Sequence, residues 1–518
     1  MKYFYTLFMI LSALPVMVQA AELRLAALFS DHMVLQRDKP VPVWGWADPG
    51  EQLTLSFAGQ KKTAAAGADG KWMVRLDALS ANAEGRELLV QSATGDRCLK
   101  VCDVLVGEVW LGSGQSNMGM LVKDVRNAEG EIASAQLPLI RMFRVNNTIG
   151  QTLQAEVKGA WQIVSPETVL NHSATLFFFG REIHRELQMP VGLINASVGG
   201  TPIESWMALE AQQAVPALKP LIRSGLRMIE DFWSPRGQSA YQQTQKEHAE
   251  KVKVAQAQKQ PLPWLPSHPI GTAPAVHFDA KVAPLIPCAL RGVLWYQGEG
   301  NAKRGIAQRY QTQLELLVTD WRRRWGDELP FAWVQLANYT LAGYHKQTGS
   351  DDDWAVVRDS MRRSLRLPKT GMAVAIDIGD SDDIHPKNKQ DVGRRLALWA
   401  LGEVYAQKVA ATCGPLLASH ETRGAEMAIR FTHAEGGLKA KGGDLKGFVV
   451  AGADRQWHPA TARINGDTVV LSSPNVKQPV AARYAWAADP ECNLYNGAGL
   501  PASPFRTDDW IDLTSAKP

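Results

Sequence analysis

Between residues 103 and 406 the chain alternates short apolar runs with longer helix-compatible stretches, and this alternation limits its fold more than any other feature. Helix-compatible stretches at 174–188, 306–325 and 354–365 each precede an apolar run, the first of which is 191–194. Strands separated by helices of this length are typical of a parallel sheet. The pattern therefore predicts an α/β domain whose parallel sheet has helices on both faces.

The residues on either side of this region show a different pattern. Over 21–102, short alternating runs such as 40–46 (PVPVWGW) are separated by Gly, Asp and Pro, which predicts a small antiparallel β domain. Short strand-like runs return over 407–518, where we expect a β-sandwich. The predicted order is an N-terminal β domain at 21–102, an α/β domain at 103–406 and a C-terminal β-sandwich at 407–518.

One segment of the α/β region departs from the alternation. Residues 208–274 contain a polar stretch rich in Gln, Lys and Ala, followed by the proline-rich run 261–266 (PLPWLP). We expect a helical insertion and then an extended segment that carries Trp264 outward. The insertion could act as a lid over a site or be a solvated helical hairpin without a catalytic role. A disordered linker is the third alternative.

Residues 1–20 have the features of a secretory signal peptide. Lys2 precedes the apolar run 4–18, and small residues stand at positions 18 and 20, where a signal peptidase reads the chain. The apolar run is shorter than the roughly 20 residues that a membrane-spanning helix needs, so we expect cleavage before Ala21 rather than a retained anchor. If the source is Gram-negative, the mature protein is periplasmic and has no membrane attachment.

Charge and metal-binding patterns argue against two classes of partner. A formal net charge of +4 is small for 518 residues, and the basic run 322–324 (RRR) is most simply the solvated face of a helix. We therefore expect no nucleic acid as partner. The eleven histidines form no His-x-His or His-Glu-x-x-His motif, and the cysteines form no C-x-x-C, so we expect no metal and no other cofactor.

Five cysteines are too few for a disulfide scaffold, although an exported protein can form single bridges. The candidate pairs are Cys413 with Cys492, which fall in the same predicted domain, and Cys98 with Cys102. An odd number leaves at least one thiol unpaired within the chain.

A candidate nucleophile follows the first apolar run of the α/β region. Residues 112–118 (GSGQSNM) come directly after the run 104–111, so Ser116 lies on a tight turn at the carboxyl end of a predicted strand. That edge of a parallel sheet is where α/β proteins present their chemistry. A turn rich in Ser and Asn can also be an ordinary helix cap, and the motif alone does not decide between the two.

Two further motifs supply hydrogen-bond donors for an oxyanion. Residues 195–201 (NASVGGT) follow one apolar run and offer the backbone N–H of Gly199 or Gly200. Residues 295–301 (WYQGEGN) follow another run and end in the side-chain amide of Asn301. Such donors stabilise the negative charge of a tetrahedral intermediate.

The last motif, 382–386 (DDIHP), combines a carboxylate with an imidazole. Asp382 precedes His385 by three residues, a spacing that lets the acid orient Nδ1 of the ring while Nε2 faces a serine. Asp383 and Glu299 are alternative partners of the histidine, or they form salt bridges with other neighbours.

Taken together, these motifs resemble the blocks of the SGNH (GDSL-type) hydrolases, which carry Ser, Gly, Asn and Asp-x-x-His in this order. More narrowly, 114–118 (GQSNM), 295–301 and 383–386 (DIHP) are similar to the sialate O-acetylesterases and related carbohydrate acetylesterases. The similarity continues at 31–36 (DHMVLQ), 493–496 (NLYN) and 499–507 (GLPASPFRT), so it covers nearly all of the chain after residue 20.

The resemblance implies a flavodoxin-like SGNH sheet between helices, and a serine hydrolase that removes O-acetyl groups from glycans through an acetyl-serine intermediate. The catalytic residues that it implies are Ser116, His385 and Asp382. The implied oxyanion donors are the backbone N–H groups of Ser116 and of Gly199 or Gly200, and the amide of Asn301. Residues that could support the site are Gln115, Gln297, Glu299 and Asp383.

The implied substrate is an O-acetylated glycan, and the resemblance points first to 9-O-acetylated sialic acid. Acetylated xylan or xyloglucan would fit the same catalytic machinery. Indole rings stack on sugar faces, so Trp206, Trp264 and Trp295, which lie near the motifs, are candidates for lining a glycan cleft.

Two other functions fit parts of the sequence. A glycan-binding protein without catalysis would use the two flanking β domains, but the presence of Ser116, Asn301, Asp382 and His385 together argues against a decayed enzyme. A lipase or thioesterase would need a broad apolar pocket for its acyl group, which the sequence does not exclude. No feature of the sequence indicates an oligomeric state.

Overall fold

The computed structural model describes residues 22–146, 148–263, 265–303, 305–340 and 352–510. The N-terminal region is built from short strands, as predicted. In the sixth of them, KWMVRL, alternate side chains are buried and exposed, the period of two that a half-buried strand requires. The strands are β1 (Arg24–Leu25), β2 (Val34–Gln36), β3 (Val41–Trp46), β4 (Gln52–Phe57), β5 (Gln60–Ala65), β6 (Lys71–Leu76) and β7 (Asn82–Ser92).

The next strand, β8 (Cys98–Gly114), passes through the predicted domain boundary at 102. Its first part pairs antiparallel with β7, and residues 105–107 pair parallel with β2. Its second part enters the α/β region, where every side chain from 104 to 114 is buried. One continuous strand therefore connects the N-terminal β region to the sheet that follows.

The α/β region alternates strands with helices, as predicted. The strands are β9 (Leu137–Arg144), β10 (Trp161–Val164), β11 (Val191–Ser197), β12 (Gly292–Tyr296), β13 (Phe331–Gln335) and β14 (Thr370–Val374). The helices are α1 (Ser116–Gly119), α2 (Ala128–Ala133), α3 (Pro166–Val169), α4 (Ala174–Leu187), α5 (Leu209–Gln213), α6 (Lys219–Trp233), α7 (Pro235–Ala257), α8 (Tyr310–Trp325), α9 (Asp353–Ser364) and α10 (Lys389–Trp399).

The central sheet is mixed. Its strand order is β10-β9-β11-β8-β12-β13-β14, and all neighbours are parallel except β10 and β9. Without the β9–β10 edge, five parallel strands remain, in the spatial order second, first, third, fourth, fifth along the chain. Ser116 follows the first of these strands, and the segment 382–386 follows the last.

Both faces of the central sheet are covered, as predicted for a parallel sheet. All five residues of β12 are buried, the continuous apolar pattern of a strand with no solvated face. Val293 and Trp295 join an apolar cluster that includes residues of α8 and α9, whereas Leu294 and Tyr296 join a second cluster with residues of α4 and α10. Successive side chains of the strand thus point to opposite helical layers.

The predicted helical insertion is present as α6 and α7. The long helix α7 has only Ala255 buried, so its faces are mostly solvated. Phe232 of α6 packs on Ile270, Ala273 and Val276 in a small separate cluster. Within the described residues, no hydrogen bond or ion pair joins α7 to the four motif segments, and the role of the insertion stays a prediction. Trp264 lies outside the described residues.

The C-terminal region consists of short strands. The strands are β15 (Leu416–Arg423), β16 (Glu426–Thr432), β17 (Leu438–Ala440), β18 (Phe448–Ala451), β19 (Trp457–Pro459), β20 (Thr461–Asn465), β21 (Thr468–Ser472), β22 (Ala481–Tyr484), β23 (Leu494–Asn496) and β24 (Phe505–Arg506). Two antiparallel four-stranded sheets, β15-β16-β21-β20 and β19-β18-β22-β24, enclose one apolar cluster, as the two layers of a sandwich do, and β17 pairs with β23.

A buried arginine joins this region to the central sheet. Arg358 of α9 donates to the carbonyl oxygens of Leu336 and Ala337, just after β13, and to those of Ala487 and Ala488. Burial lowers the pKa of its guanidinium to about 10. These hydrogen bonds fix the C-terminal region against the carboxyl end of the sheet.

Neither candidate disulfide forms, because all five cysteines are free thiols. Burial raises the pKa of both Cys288 and Cys413 to about 12, so both are protonated at neutral pH. Among the described residues, no helix is both long and apolar enough to cross a bilayer, and no group of three or more His, Cys, Asp or Glu has a metal-binding arrangement.

Candidate active site

Ser116 lies where the sequence predicts, at the turn between β8 and α1. Gly114 ends β8 at a φ of 134°, and a Cβ there would lie 2.1 Å from the carbonyl oxygen of Tyr296, so only glycine fits. The backbone N–H of Gln115 donates to that same oxygen at 3.0 Å. The turn is thereby fixed to β12, and Ser116 begins α1 with its side chain half-buried.

His385 faces the serine. Its Nε2 lies 2.8 Å from Ser116 Oγ, a hydrogen-bond distance that joins residues 269 positions apart in the chain. Burial lowers the pKa of His385, Asp383 raises it and Lys389 lowers it, with a net shift below the ordinary value. The imidazole is therefore neutral at neutral pH, the form that accepts a proton.

The carboxylate beside the histidine is that of Asp383, whereas Asp382 was expected. Asp383 Oδ1 lies 3.6 Å from His385 Nδ1 and accepts the backbone N–H of His385 at 2.9 Å. Asp382 is exposed, and its own backbone N–H donates to Asp380. The segment 382–385 is irregular and turns around the hydrogen bond from the His385 backbone to Asp383, which brings the Asp383 carboxylate to the ring.

Of the two candidate glycines, Gly199 adjoins the nucleophile. A Cβ on Gly199 would lie 3.4 Å from Ser116 Cβ, whereas one on Gly200 would meet nothing within 4 Å. Gly200 has a φ of 72°, which glycine adopts without strain. The backbone N–H of Val198 donates to the Gly114 carbonyl and fixes this loop to the serine turn.

Asn301 is fully buried in a polar network. Its Nδ2 donates to Glu204 Oε2 at 2.9 Å, and its Oδ1 accepts from the Ile203 backbone N–H at 2.9 Å and from Gln297 Nε2 at 2.7 Å. Burial raises the pKa of Glu204. The observed contacts of the amide are structural ones, and its role as an oxyanion donor stays a prediction.

The two glutamines connect the motif segments. Gln115 Oε1 accepts the backbone N–H of Gly300 at 3.1 Å. Gln297 Nε2 donates to the carbonyl oxygen of Thr201 at 3.2 Å, in addition to its contact with Asn301. These side chains hold the serine turn, the glycine loop and the segment after β12 together, and their supporting role in the reaction stays a prediction.

Glu299, an expected alternative partner of the histidine, contacts Asn117 instead. Asn117 Nδ2 donates to Glu299 Oε1 at 2.5 Å, and Asn117 Oδ1 accepts from Lys389 Nζ at 2.8 Å. Lys389 is fully buried and Glu299 is 7% exposed. Burial raises the pKa of Glu299 and lowers that of Lys389 to about 7.

Sequence reasoning missed Asn117, Lys389 and Glu204. Asn117 directly follows the nucleophile inside the motif 114–118, so its position was a usable signal. Lys389 lies four residues after His385, and no local pattern distinguishes a buried lysine from a solvated one. Glu204 is buried by contacts with residues about one hundred positions away.

The expected glycan-stacking role of Trp206 and Trp295 is wrong, because both side chains are fully buried. Trp206 stacks on His277 with ring centroids 4.9 Å apart, and its centroid lies 6.1 Å from that of Trp295 in an edge-on contact. Both indoles belong to the core beneath the site. The third candidate, Trp264, lies outside the described residues.

Known proteins are similar to this chain in sequence and in fold. Residues 276–409 match the family model described as carbohydrate esterase, sialic acid-specific acetylesterase. The sialate O-acetylesterase of Rattus norvegicus is 30% identical, over 93% of this chain and 94% of the relative. This chain belongs to the sialate O-acetylesterase family. The sialate O-acetylesterase of Homo sapiens is 29% identical, over 93% of this chain and 92% of the relative.

A solved structure agrees with the family assignment. The crystal structure of a carbohydrate acetylesterase from Xanthomonas citri superposes with a TM-score of 0.80 at 35% identity, and it covers 94% of this chain and 100% of that one. The predicted enzyme class is confirmed: this member of the family is a carbohydrate O-acetylesterase, a carboxylic ester hydrolase. A glycan-binding protein without catalysis is therefore set aside.

Proposed function

We propose that this enzyme removes O-acetyl groups from sialic acids through an acetyl-serine formed on Ser116. The observation that carries the proposal is the 2.8 Å contact between His385 Nε2 and Ser116 Oγ. A serine hydroxyl is a weak nucleophile until an adjacent base removes its proton. A neutral imidazole at this distance supplies that base.

The residues have successive roles in the proposed reaction. Ser116 Oγ attacks the acetyl carbonyl while His385 Nε2 takes the hydroxyl proton, and the imidazolium then returns it to the departing sugar oxygen. Water hydrolyses the acetyl-serine by the same proton path in reverse. Asp383, the carboxylate nearest Nδ1, keeps the proton on that nitrogen and stabilises the imidazolium.

The oxyanion would be held by backbone groups. The donors are the backbone N–H groups of Ser116 and Gly199, because the two residues adjoin each other at the turn. Gly200 is the neighbouring alternative, and Asn301 would need to free an amide proton from its buried network. Loss of one such donor typically costs about 3 kcal/mol of transition-state stabilisation, a hundredfold or more in rate.

The choice of sialic acid over plant polysaccharide rests on the relatives and on one arginine. Sialic acid carries a carboxylate, which xylan and xyloglucan backbones lack. Arg144 is exposed at the carboxyl end of β9, the edge of the sheet that also carries Ser116. Burial and then the charge of Arg144 lower the pKa of Lys281 to about 8, so the two basic side chains lie near each other. We infer that Arg144 binds the substrate carboxylate.

The strand register gives the distance between Arg144 and the turn that carries Ser116. Arg144 pairs with Asn195, and Asn195 pairs with Gly112. Two strand spacings of about 4.8 Å across and two residues of about 3.3 Å along put the Arg144 and Gly114 Cα atoms roughly 12 Å apart. An arginine side chain and one sugar ring together can cover such a distance.

The finer fold assignment is also a proposal. We infer an SGNH-type arrangement, and its support is the strand order second, first, third, fourth, fifth, which is that of flavodoxin-like doubly wound sheets. We further propose that residues 1–20 export the chain to the periplasm. Those residues lie outside the described ranges, and cell fractionation of chains with and without them tests the export.

The function is tested by acetate release from a panel of 9-O-acetylated sialic acid, acetylated xylan, acetylated xyloglucan and an aryl acetate. Wild type should release acetate fastest from the sialic acid, and Ser116→Ala should release none. Arg144→Gln should raise KM for the sialic acid about tenfold and leave the aryl acetate unchanged. A clear preference for either polysaccharide would overturn the sialic acid assignment and leave the esterase intact.

A further inference from the structure

A buried polar cluster lies behind Ser116 and His385, composed of Lys389, Asn117 and Glu299. Lysine is almost never fully buried unless its ammonium group is paired. Lys389 Nζ donates to Asn117 Oδ1 at 2.8 Å and to the Pro386 carbonyl oxygen at 2.6 Å. The proposed mechanism uses none of these three side chains, and no hydrogen bond links any of them to Ser116 Oγ or the His385 ring among the described residues.

The cluster is hydrogen-bonded to the backbone on both sides of the catalytic histidine. Lys389 Nζ binds the carbonyl oxygen of Pro386, the residue after His385, and Asn117 Nδ2 binds that of Ile384, the residue before it, at 3.0 Å. Asn117 directly follows Ser116. The loop that carries the base is therefore hydrogen-bonded at two points to a cluster attached to the nucleophile's own helix.

Glu299 fixes the direction of the Asn117 amide. Asn117 Nδ2 faces Glu299 Oε1, an orientation that an ionised, accept-only carboxylate requires, and this leaves Oδ1 for the ammonium group of Lys389. Both amide protons and the amide oxygen of Asn117 are then engaged, by Glu299, Ile384 and Lys389. A turn of this amide would break all of these contacts at once.

We propose that Lys389, Asn117 and Glu299 are positioning residues that hold the His385 loop at hydrogen-bond distance from Ser116. The inference rests on the proposed function, in which His385 is the base for Ser116. A misplacement of about 1 Å of such a group can cost a hundredfold in rate. Substrate binding does not use the cluster, so its loss lowers kcat and leaves KM nearly unchanged.

The charge of Lys389 affects the pH dependence of kcat/KM, which a purely structural role of this residue would leave unchanged. The groups that face it are Glu299, Asp383, the Tyr296 ring at 5.5 Å and His385. Its positive charge lowers the pKa of His385. Removal of that charge raises the pKa of the base, so the acidic limb of the kcat/KM profile moves to higher pH.

The first variant is Lys389→Met, which keeps an unbranched side chain one atom shorter and removes the charge and the donors. Lys387→Met is the matched control, because Lys387 is exposed on the same loop. We expect Lys389→Met to lower kcat about 10- to 100-fold on the aryl acetate, change KM less than about threefold, and shift the acidic limb upward. A folded Lys389→Met protein with wild-type kcat and an unshifted acidic limb would overturn the proposal.

A second set of variants tests the positioning role of the cluster if Lys389→Met does not fold. Asn117→Asp puts two carboxylates in contact and should lower kcat strongly. Adding Glu299→Gln reverses the hydrogen bond, because the new amide donates to Asp at position 117, and keeps the net charge of the cluster, whereas the hydrogen bond to the Ile384 carbonyl stays lost in both variants. We expect the double variant to recover at least about fivefold of the lost kcat, and equal kcat in single and double variants would contradict the coupling. Full activity of Ser116→Ala would instead refute the proposed function itself.

Discussion

His385 stands between two groups of opposite charge. Asp383 raises its pKa and Lys389 lowers it, and burial, the largest effect, also lowers it. The sequence predicted Ser116 and His385 correctly as neighbours, since each follows a strand of the same parallel sheet. It could not choose between adjacent carboxylates, because the direction of a side chain in an irregular segment depends on hydrogen bonds such as that from the His385 backbone to Asp383.

The two aspartates give a residue-scale prediction. Asp383→Asn should lower kcat at least tenfold and move the acidic limb of kcat/KM to lower pH, because the charge that raises the pKa of His385 is lost. Asp382→Asn, the matched control, should stay within about twofold of wild type because Asp382 is exposed. The pH profiles of the purified variants on an aryl acetate measure both. The reverse outcome would assign the orienting role to Asp382.

At the scale of elements, the alternation of strands and helices was predictable because the buried apolar residues of each element recur with a regular period along the sequence. The helices α4, α8 and α9 lie where the sequence predicted helices. The continuity of β8 was not predictable. Asp103, within this strand, has a φ of 54° and binds Arg141, features that are more typical of a turn between two strands. Only the pairing with β7 and β2 shows that the strand is continuous.

The turn between β8 and α1 gives the element-scale prediction. Gly114→Ala should destabilise the protein by about 3 kcal/mol or more and abolish activity, because its Cβ would meet the Tyr296 carbonyl oxygen at 2.1 Å in addition to the strain of a positive φ. The control is Gly95→Ala, which has a φ of 75° and open space around its Cβ. Only the strain, about 1 to 2 kcal/mol, applies there.

Chemical denaturation and acetate release measure both glycine variants. Gly95→Ala should keep wild-type kcat. If Gly114→Ala showed the same small loss of stability and retained activity, the contact between the serine turn and β12 would not be what fixes the nucleophile.

At the scale of the whole molecule, the C-terminal region supports the catalytic loop. Asp489 accepts hydrogen bonds from Asn338 Nδ2 at 2.9 Å, from Thr340 Oγ1 at 2.9 Å and from Ser381 Oγ at 2.6 Å. Ser381 lies four residues before His385. Contacts between residues more than one hundred positions apart leave no periodic signal, so the sequence predicted the C-terminal strands but not their role at the site.

Asp489→Ala therefore tests the link between the regions. We expect a loss of about 2 to 3 kcal/mol in the free energy of unfolding, because three half-buried donors, Asn338 Nδ2, Thr340 Oγ1 and Ser381 Oγ, lose their acceptor. We also expect a fall in kcat, since the loop before His385 loses an anchor. Glu421→Ala, which removes an exposed ion pair with Arg423 on β15, is the control and should change stability by less than about 1 kcal/mol. An Asp489→Ala protein with wild-type kcat would show that the C-terminal region stabilises the fold without positioning the loop.

The most direct test of the whole account is to trap the acetyl-enzyme. The wild-type protein and Ser116→Ala would be mixed with 9-O-acetylated sialic acid, quenched in acid within the first turnover, digested and analysed by mass spectrometry. The account predicts one added acetyl group on the wild-type peptide that contains Ser116, and none in the variant. An acetyl group on another residue of the wild-type protein, formed while that protein releases acetate, would contradict Ser116 as the nucleophile.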